Sequence, residues 1–461
     1  MRDFTAGNIT RSIVMFAIPM LIGNVFQQFY NMADAMIVGR YVGGSALAAV
    51  GSSGTVLNFL IAIMSGLATG SSVVVSQFFG ARQEDNLRRT VSTSLIFLTV
   101  LSLIITVFGI LFMPTLMRLL DMPADVFDDT VLYLRILMTG ILVQMIFNMY
   151  NAFLRALGDS RTPLICLICG IFLNLGLDIW FVRGLGWGVA GAAAATVLAQ
   201  VAVLVPCYIY VARRVPLLKV DSLAFDRELF YTIMRYSVPA ALQLSMTSLA
   251  SLTIMRLVNG FGSNATAGYT TATKIDQMAL MPASNISMAE ASFVGQNMGA
   301  GKEDRAHKGL RSTAVFMVGL SLAISALILA FGSPLMALFM EPGDPNFGAI
   351  VNIGTRYLAV IALFYFLHAA LFALNGFFRG VGDAVIVMVL TVTSLTIRSV
   401  SAHILVHQFG MGPEAVAWSI PIGWFTTSLM GYIYYQKGYW KGKVAVKQPP
   451  KEEPHGEGES T

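Results

Sequence analysis

A series of long apolar stretches constrains this chain more than any other feature. Each has about 20 or more mostly apolar residues, enough to cross a bilayer as a helix. Charged residues make up only 12% of the chain, about half the share of a soluble domain. The sequence therefore predicts an all-α polytopic membrane protein with twelve transmembrane helices. These spans, numbered 1 to 12, are residues 13–38, 47–75, 90–113, 131–154, 163–183, 188–212, 230–257, 266–294, 311–338, 352–375, 385–407 and 414–436.

The basic residues predict the orientation of the spans. Most of the 30 Lys and Arg residues lie at the two ends of the chain and in the loops after even-numbered spans. The acidic loop of residues 121–129 falls on the other side. The positive-inside rule then places both termini in the cytoplasm. Because the basic residues form short clusters between apolar stretches, a nucleic acid is not an expected partner.

Two motifs occur once in each half of the sequence. Residues 77–85 (QFFGARQED) resemble residues 296–304 (QNMGAGKED), and residues 151–159 (NAFLRALGD) resemble residues 375–383 (NGFFRGVGD). Both pairs recur at nearly the same offset, which indicates two repeats of six spans. Because six is an even number, the two bundles have the same orientation and are related by a pseudo-two-fold axis along the membrane normal.

This organisation predicts two helical bundles that meet at a central cleft, as alternating access requires. The expected units are an N-terminal bundle (residues 1–212), a cytoplasmic linker (213–228), a C-terminal bundle (229–440) and a disordered cytoplasmic tail (441–461). The chain has no Walker motif, so an ion gradient is the expected energy source. Its five histidines are scattered, and no metal or nucleophile constellation appears, so we expect neither an enzyme nor a bound cofactor.

Polar side chains inside a span are costly and are functional candidates by default. Span 1 carries a polar stripe along one face, which ends in Asp34. In span 5, Asn174 and Asp178 lie one turn apart, at a depth that also suits Thr196 of span 6. Together they predict a coupling cluster for a proton or Na⁺, which consists of Asn31, Asp34, Asn174, Asp178 and Thr196.

Two acids in a poorly solvated pocket resist being ionised together, so such a cluster can take up and release a proton. Its oxygens also suit Na⁺. The alternative is structural: each acid bonds to a neighbouring helix or reaches the outer membrane edge. The position of Asp178 near the end of its span favours this alternative for Asp178.

Span 4 carries a second polar stripe, which ends in Arg155. The repeat aligns Gln144 of this stripe with His368, and Arg155 with Arg379. His368 is either a proton carrier or a buried neutral side chain, since imidazole titrates near neutral pH. The two arginines are expected to pair with Asp159 and Asp383, four residues after each, and to serve in gating or stability.

Span 8 carries charged side chains on different faces. Lys274 and Asp276 are two residues apart and point to opposite sides, so one of them is a candidate for the cleft. Arg398 of span 11 is a possible partner for either. The candidate substrate residues are Asn24, Gln27, Gln28, Gln144, Asn148, Lys274, Asp276, Gln277 and His368.

The repeats, both motif pairs and Pro19, fifteen residues before Asp34, resemble the MATE (multidrug and toxic compound extrusion) family. The chain looks most like its DinF-like bacterial and archaeal branch. That resemblance implies a monomer in the cytoplasmic membrane that exports cationic amphipathic compounds in exchange for H⁺ or, less favoured, Na⁺. It also implies that Asp34, Asn174, Asp178 and Thr196 form the coupling site, and that protonation bends span 1 near Pro19.

One departure from the pattern of the family narrows the set of candidate coupling residues. Other MATE branches place a coupling glutamate in the seventh helix, whereas residues 236–255 contain no acid. The alternative function is a flippase for lipids or lipid-linked precursors, which the wider superfamily contains. An anionic headgroup would need several basic residues in the cleft, and only Lys274 and Arg398 are candidates.

Overall fold

The computed structural model describes residues 2–219, 224–340 and 345–446, and their regular structure is helical throughout. The N-terminal half contains α1 (Ile9–Tyr41), α2 (Gly44–Gly80), α3 (Glu84–Leu119), α4 (Ala124–Ala156), α5 (Arg161–Asp178) and α6 (Gly188–Arg214). The C-terminal half contains α7 (Arg227–Asn259), α8 (Ser263–Gly299), α9 (Glu303–Ala337), α10 (Phe347–Ala362), α11 (Tyr365–Val381), α12 (Ala384–His407) and α13 (Glu414–Gln436).

The predicted fold class is confirmed, because each predicted span coincides with one helix or one broken helix pair. Span 5 continues from α5 into the π-helical turn Ile179–Gly184. Span 10 is divided between α10 and α11, which meet at an angle of 54°. By length and apolarity alone, nine helices of the described chain can cross a membrane, or ten if the bent pair is one span. The polar helix α8 and α13 are not among them.

Each half has a large apolar core, and the core of the N-terminal half also includes Ile233, Tyr236 and Ala241 of α7. Gly66 and Gly70 of α2 lie directly against the backbone of Ala241 and Ser237 of α7, where no Cβ would fit. The described chain begins and ends on the same side of the molecule, which we call the terminal side; the opposite side is the distal side. Since both glycines lie in the half of α2 nearer the terminal side, the bundles are held together chiefly there.

Helix α1 belongs to both bundles. Ile13, Phe16 and Ala17, near its start, are buried in the core of the C-terminal bundle. Val38, near its end, is buried with residues of α4 and α6 in the N-terminal bundle. The apolar face of the first turns of α1 therefore packs across the boundary of the N-terminal unit, residues 1–212, which stays a prediction.

Two loop predictions also need correction. The proposed ion pairs of Arg155 with Asp159 and Arg379 with Asp383 do not occur, because each carboxylate caps the following helix. Asp159 accepts hydrogen bonds from Thr162 N at 3.1 Å and Thr162 Oγ1 at 2.6 Å. Asp383 accepts from Ile386 N at 3.4 Å and Tyr434 OH at 2.6 Å. Backbone N–H groups at a helix start have no other partner, so they compete well for a nearby carboxylate.

The segments outside the bundles are more ordered than the sequence predicted. Within the linker of residues 213–228, the 3₁₀ turn Pro216–Leu218 buries Leu218 in the N-terminal core, and residues 220–223 lie outside the described chain. The predicted disordered tail does not begin at residue 441. Trp440 and Val446 are 2% and 6% exposed, so residues 441–446 pack on the bundles. Residues 447–461 lie outside the described ranges.

Candidate substrate and coupling site

A large cavity runs along the inner face of the N-terminal bundle. Its volume is about 700 Å³, and its walls come mainly from α1, α2, α4, α5 and α6. The C-terminal bundle contributes Asn285 and Met288 of α8. The cavity is of the size that holds a drug-like molecule. It extends in depth from Asp34 toward Arg155, so both predicted polar stripes border the same space.

Asp34 and Asp178 approach each other at one end of this cavity. Asp34 lines the wall, while Asp178 is fully buried behind it, and the two carboxyl groups lie close enough to interact electrostatically. After Asp178 the chain continues into the π-helical turn Ile179–Gly184, a geometry often found at functional sites. The alternative that Asp178 reaches the outer membrane edge is therefore wrong, since its carboxyl group points into the bundle.

The groups around these acids leave oxygen atoms free. Asn174 is 4% exposed, and neither its amide atoms nor the carboxyl oxygens of Asp178 have a hydrogen-bond partner among the described residues. Thr196 donates to Ala192 O at 3.1 Å, and Asn31 accepts from Gln27 Nε2 at 3.2 Å. Buried polar atoms are normally paired. The unpaired carboxyl oxygens can therefore take up a proton, and together with the amide oxygen they suit the hard cations that carboxylates bind.

Two tyrosines complete the cluster, and the sequence analysis missed both. The Tyr30 hydroxyl group interacts with Thr196, and Tyr30 and Tyr133 both lie near Asp34 and Asp178. Tyr30 is one helical turn before Asp34, so a search at helical spacing would have found it. Tyr133 comes from the start of α4, and nothing in its local sequence indicates this contact.

The stripe on α4 faces the cavity, as its spacing predicts. Gln144, Asn148, Asn151 and Arg155 all line it. On α1, Pro19, Asn24 and Gln27 also line it. Asn24 Nδ2 donates to Asn285 Oδ1 at 3.0 Å, which links α1 to α8 across the bundle boundary.

The structure does not bring the remaining candidates to this cavity. Gln28, Lys274 and Gln277 are exposed on other helix faces. Asp276 accepts a hydrogen bond from Tyr365 OH at 2.9 Å inside the C-terminal bundle, and Arg398 lies near it. Both charged groups therefore have neighbours within the C-terminal bundle. His368 is buried and stacked on Phe372 at 4.1 Å between ring centroids, as the structural alternative expected.

Glu290 of α8 is a buried acid that the sequence analysis did not single out. It is fully buried in the C-terminal bundle, and neither carboxyl oxygen has a hydrogen-bond partner within the described ranges. Its side chain packs against Gly376 of α11, where an added Cβ would meet Oε2 at 2.6 Å. Glu290 falls near the polar end of span 8, so the apolar pattern did not identify it as a functional candidate.

Two helical bundles around a polar cavity with a buried acid pair define a multi-pass membrane transporter rather than an enzyme. The MatE family model matches residues 19–180 and 239–404, which is most of the chain. The chain therefore belongs to the MatE family.

Known proteins resemble the chain over nearly its full length. It is 28% identical over 450 residues to the probable multidrug resistance protein YoeA of Bacillus subtilis, covering 95% of this chain and 96% of that protein. It is 29% identical over 440 residues to the probable multidrug resistance protein YpnP of the same organism, covering 95% and 97%. A solved outward-facing multidrug resistance MATE transporter of the MOP superfamily superposes with a TM-score of 0.88 at 25% identity, covering 95% and 98%.

Proposed function

We propose that this protein is a secondary antiporter that exports cationic amphipathic compounds in exchange for protons. The observation that carries the proposal is the acid pair at a cavity of about 700 Å³: Asp34 lines the wall, and the buried Asp178 behind it interacts with Asp34 and has no other carboxyl partner among the described residues. The names of YoeA and YpnP support export of drugs. The predicted residues that line the cavity include one acidic side chain, four asparagines and two glutamines, which suits cations with several hydrogen-bonding groups.

The basic residues support an orientation in which the terminal side faces the cytoplasm. The protein is then a multi-pass monomer of a bacterial or archaeal cytoplasmic membrane. The bundles touch near the terminal side at Gly66 and Gly70, so this structure corresponds to the outward-facing state. The resemblance to an outward-facing MATE structure is consistent with that assignment.

Proton uptake from outside neutralises the acid cluster and releases the bound cation. Helix α1 transmits the change, because its first turns pack on the C-terminal bundle while Asp34 lies on the N-terminal bundle. Pro19 lies between these two parts and removes one backbone hydrogen bond, so the helix can repack there. The bundles then rock, and the proton leaves on the cytoplasmic side. Exchange of one proton for one monovalent cation moves no net charge, so only the pH difference and the drug gradient drive it.

Transport of a fluorescent cation by the purified protein in liposomes tests this proposal. A pH difference and a Na⁺ gradient are imposed separately, with both at zero as the control. Export driven by the pH difference alone is the expected result. Export that requires the Na⁺ gradient would support an antiporter that is coupled to Na⁺ instead of protons. Absence of movement under both gradients would contradict ion-coupled export of cations.

The flippase alternative has less support. An anionic lipid headgroup needs several basic side chains in the cleft. Arg155 is the basic residue that lines the cavity, whereas Lys274 and Arg398, the two candidates from the sequence, lie elsewhere in the C-terminal bundle. A cavity with one arginine, one aspartate and several amides favours a small amphipathic substrate.

A further inference from the structure

Gln77, at the end of α2, connects the two bundles on the terminal side. Its side chain is fully buried. Nε2 donates hydrogen bonds to the carbonyl oxygens of Gly380 at 2.9 Å and Val381 at 3.0 Å, at the end of α11. Oε1 accepts from the backbone N of Ala445 at 2.7 Å. One amide thus joins the N-terminal bundle, the C-terminal bundle and the segment after α13.

Gln296, at the end of α8, makes the corresponding contacts from the C-terminal bundle to the N-terminal bundle. It is also fully buried. Nε2 donates to the carbonyl oxygen of Ala156 at 2.8 Å, at the end of α4. Oε1 accepts from the backbone N of Phe4 at 2.9 Å. This amide joins the C-terminal bundle, the N-terminal bundle and the segment before α1.

The two arrangements are related by the internal repeat. Gln77 and Gln296 are the first residues of the two QxxGAxxED motifs, and Ala156 and Gly380 occupy the same position of the two NxFxRxxGD motifs. Both duplicated motifs therefore meet each other across the boundary between bundles. Neither motif has a role in the acid cluster or the substrate cavity beyond Asn151 and Arg155.

The helices that carry the glutamines cross without intervening side chains. An added Cβ on Gly80 would collide with the backbone of Gln296, and one on Gly299 would collide with the backbone of Gln77. The carbonyl groups at the end of α4 and α11 have no partner within their own helices. The buried amides supply that partner, and a buried amide left unpaired is costly. The amides therefore keep these partners only while both bundles are in place. When the bundles part, water must replace the partners.

Each end of the chain supports its glutamine with further contacts. Phe4 is fully buried, its ring 5.1 Å from that of Phe16. Arg305 donates to the carbonyl oxygens of Phe4 at 3.1 Å and Ala6 at 2.8 Å. On the other side, Tyr236 OH donates to Lys443 O at 2.8 Å. Both terminal segments are thus fixed where the bundles touch.

We propose that Gln77 and Gln296 are a matched pair of gate residues for transport, and that each chain end completes one half of the gate. Their amides hold the terminal side closed, and both must release their carbonyl partners before the bundles part there. The hydrogen bonds are neutral, so water can bind their donors and acceptors when the bundles part, and the gate is reversible. Amides do not titrate, so the gate responds to the acid cluster through bundle movement and not to pH directly. This inference requires alternating access but neither a particular ion nor a particular substrate.

Spin labels on the terminal side report the state of the gate directly. In a protein with Cys166, Cys169 and Cys207 replaced, labels at Asp85 and Asp304 place one probe on each bundle, both at exposed positions. Pulsed electron paramagnetic resonance in lipid nanodiscs measures the distance distribution between them. Gln77→Ala and Gln296→Ala should each raise the ratio of open to closed terminal side about tenfold or more, since each removes two or more buried hydrogen bonds. The size of the shift should be the same at pH 6 and pH 8.

Gln83→Ala is the matched control, because Gln83 lies on the same side and its Oε1 accepts from Asn86 Nδ2 of its own bundle at 2.9 Å, with no side-chain bond to the other bundle among the described residues. It should leave the distribution unchanged. Removal of residues 445–461 takes away the Ala445 donor and should shift the ratio less than Gln77→Ala, with little further effect in the Gln77→Ala background. If Gln77→Ala does not fold, Gln77→Glu keeps the size and loses both donated bonds. Folded glutamine variants with a lower melting temperature but an unchanged distance distribution would show a merely structural role and overturn the proposal.

Discussion

The two bundles descend from one repeat and both contain buried acids, yet they place those acids differently. In the N-terminal bundle, Asp34 and Asp178 interact at the wall of the large cavity. In the C-terminal bundle, Asp276 is paired with Tyr365, and Glu290 is enclosed between α8 and α11. None of the lining residues of the large cavity is an acid of the C-terminal bundle. Because an acid pair beside a cavity of substrate size suits ion coupling better than acids enclosed in a core, the proposed coupling site falls in the N-terminal bundle.

The largest effects are expected when this difference is tested with neutral substitutions. Asp34→Asn should abolish transport driven by a pH difference and keep expression and some drug binding, because the amide resembles the protonated acid but cannot release a proton. Asp178→Asn should do the same. Asp276→Asn is the control, since an asparagine oxygen still accepts from Tyr365. Proton-coupled transport at the wild-type rate in folded Asp34→Asn would move the coupling site to another acid.

The tyrosines test whether the cluster extends beyond the acids. Tyr30→Phe and Tyr133→Phe each remove one hydroxyl group near both carboxyl groups and leave the ring packing intact. Transport should fall and its pH optimum should shift, while protein yield stays constant, because a hydrogen-bonding group near a titrating acid changes its proton affinity. Tyr357→Phe, at a buried tyrosine of the C-terminal bundle, is the matched control. An unchanged pH profile in both variants would restrict the cluster to the acids, Asn174 and Thr196.

Arg155 and Arg379 compare equivalent positions of the two bundles. Arg155 lines the large cavity, and Arg379 Nη2 donates to Gln243 Oε1 at 3.2 Å on the neighbouring helix α7. Arg379→Ala should reduce expression or turnover and keep the order of preference among several drugs, because it removes a contact between helices. The measurement is transport of three or more cations by matched amounts of protein. A new preferred substrate would instead place Arg379 in the binding site.

A smaller effect is expected at Glu290. Glu290→Gln replaces an ionisable carboxyl group that has no partner among the described residues and keeps the volume against Gly376. The free energy of unfolding should fall by no more than about 1 kcal/mol or should rise, and transport should continue. Gly376→Ala serves as the contrast, since its added methyl group meets Oε2 and should destabilise the protein. A folded Glu290→Gln variant without transport would place a second coupling acid in the C-terminal bundle and end the distinction between the bundles.

The smallest effect concerns the end of the chain, which touches both bundles. Deletion of residues 447–461 should leave transport unchanged, because the sequence there is polar and lacks apolar periodicity. Deletion of residues 446–461 also removes the buried Val446 and should lower thermal stability slightly. A comparison of melting temperature and transport rate for the two truncations separates these results. Severe loss of transport on removal of 447–461 alone would give that segment a role that its composition does not predict.

Much of the fold could be predicted because membrane insertion imposes local rules. The mostly apolar stretches predicted twelve spans, nine or ten of which length and apolarity alone identify in the described chain, and the duplicated motifs predicted the two bundles. The spacing of polar residues also placed Asp34, Asn174 and the stripe from Gln144 to Arg155 on faces that the structure brings to one cavity. Such predictions succeed because a helix has a fixed period and a membrane has a fixed thickness.

The errors arose where partners come from distant parts of the chain. The repeat aligned His368 with the cavity residue Gln144, and Asp276 was a cleft candidate because it and Lys274 point to opposite sides of span 8. Packing around Phe372 and Tyr365 encloses both. Tyr133 joined the acid cluster with no local signal. Asp159 and Asp383 were assigned to arginines, although the free N–H groups of the next helix were closer.

By itself the sequence determined that this chain spans a membrane as two repeated bundles with a polar, acid-bearing N-terminal half. Local hydrophobicity, charge bias and helical period are sufficient for that, because each acts within one segment. Only the tertiary structure decided which acids share a cavity, and that Gln77 and Gln296 reach across to the ends of α11 and α4. Those contacts join residues that are hundreds of positions apart, and their energy depends on burial and geometry, which exist only after the bundles have packed.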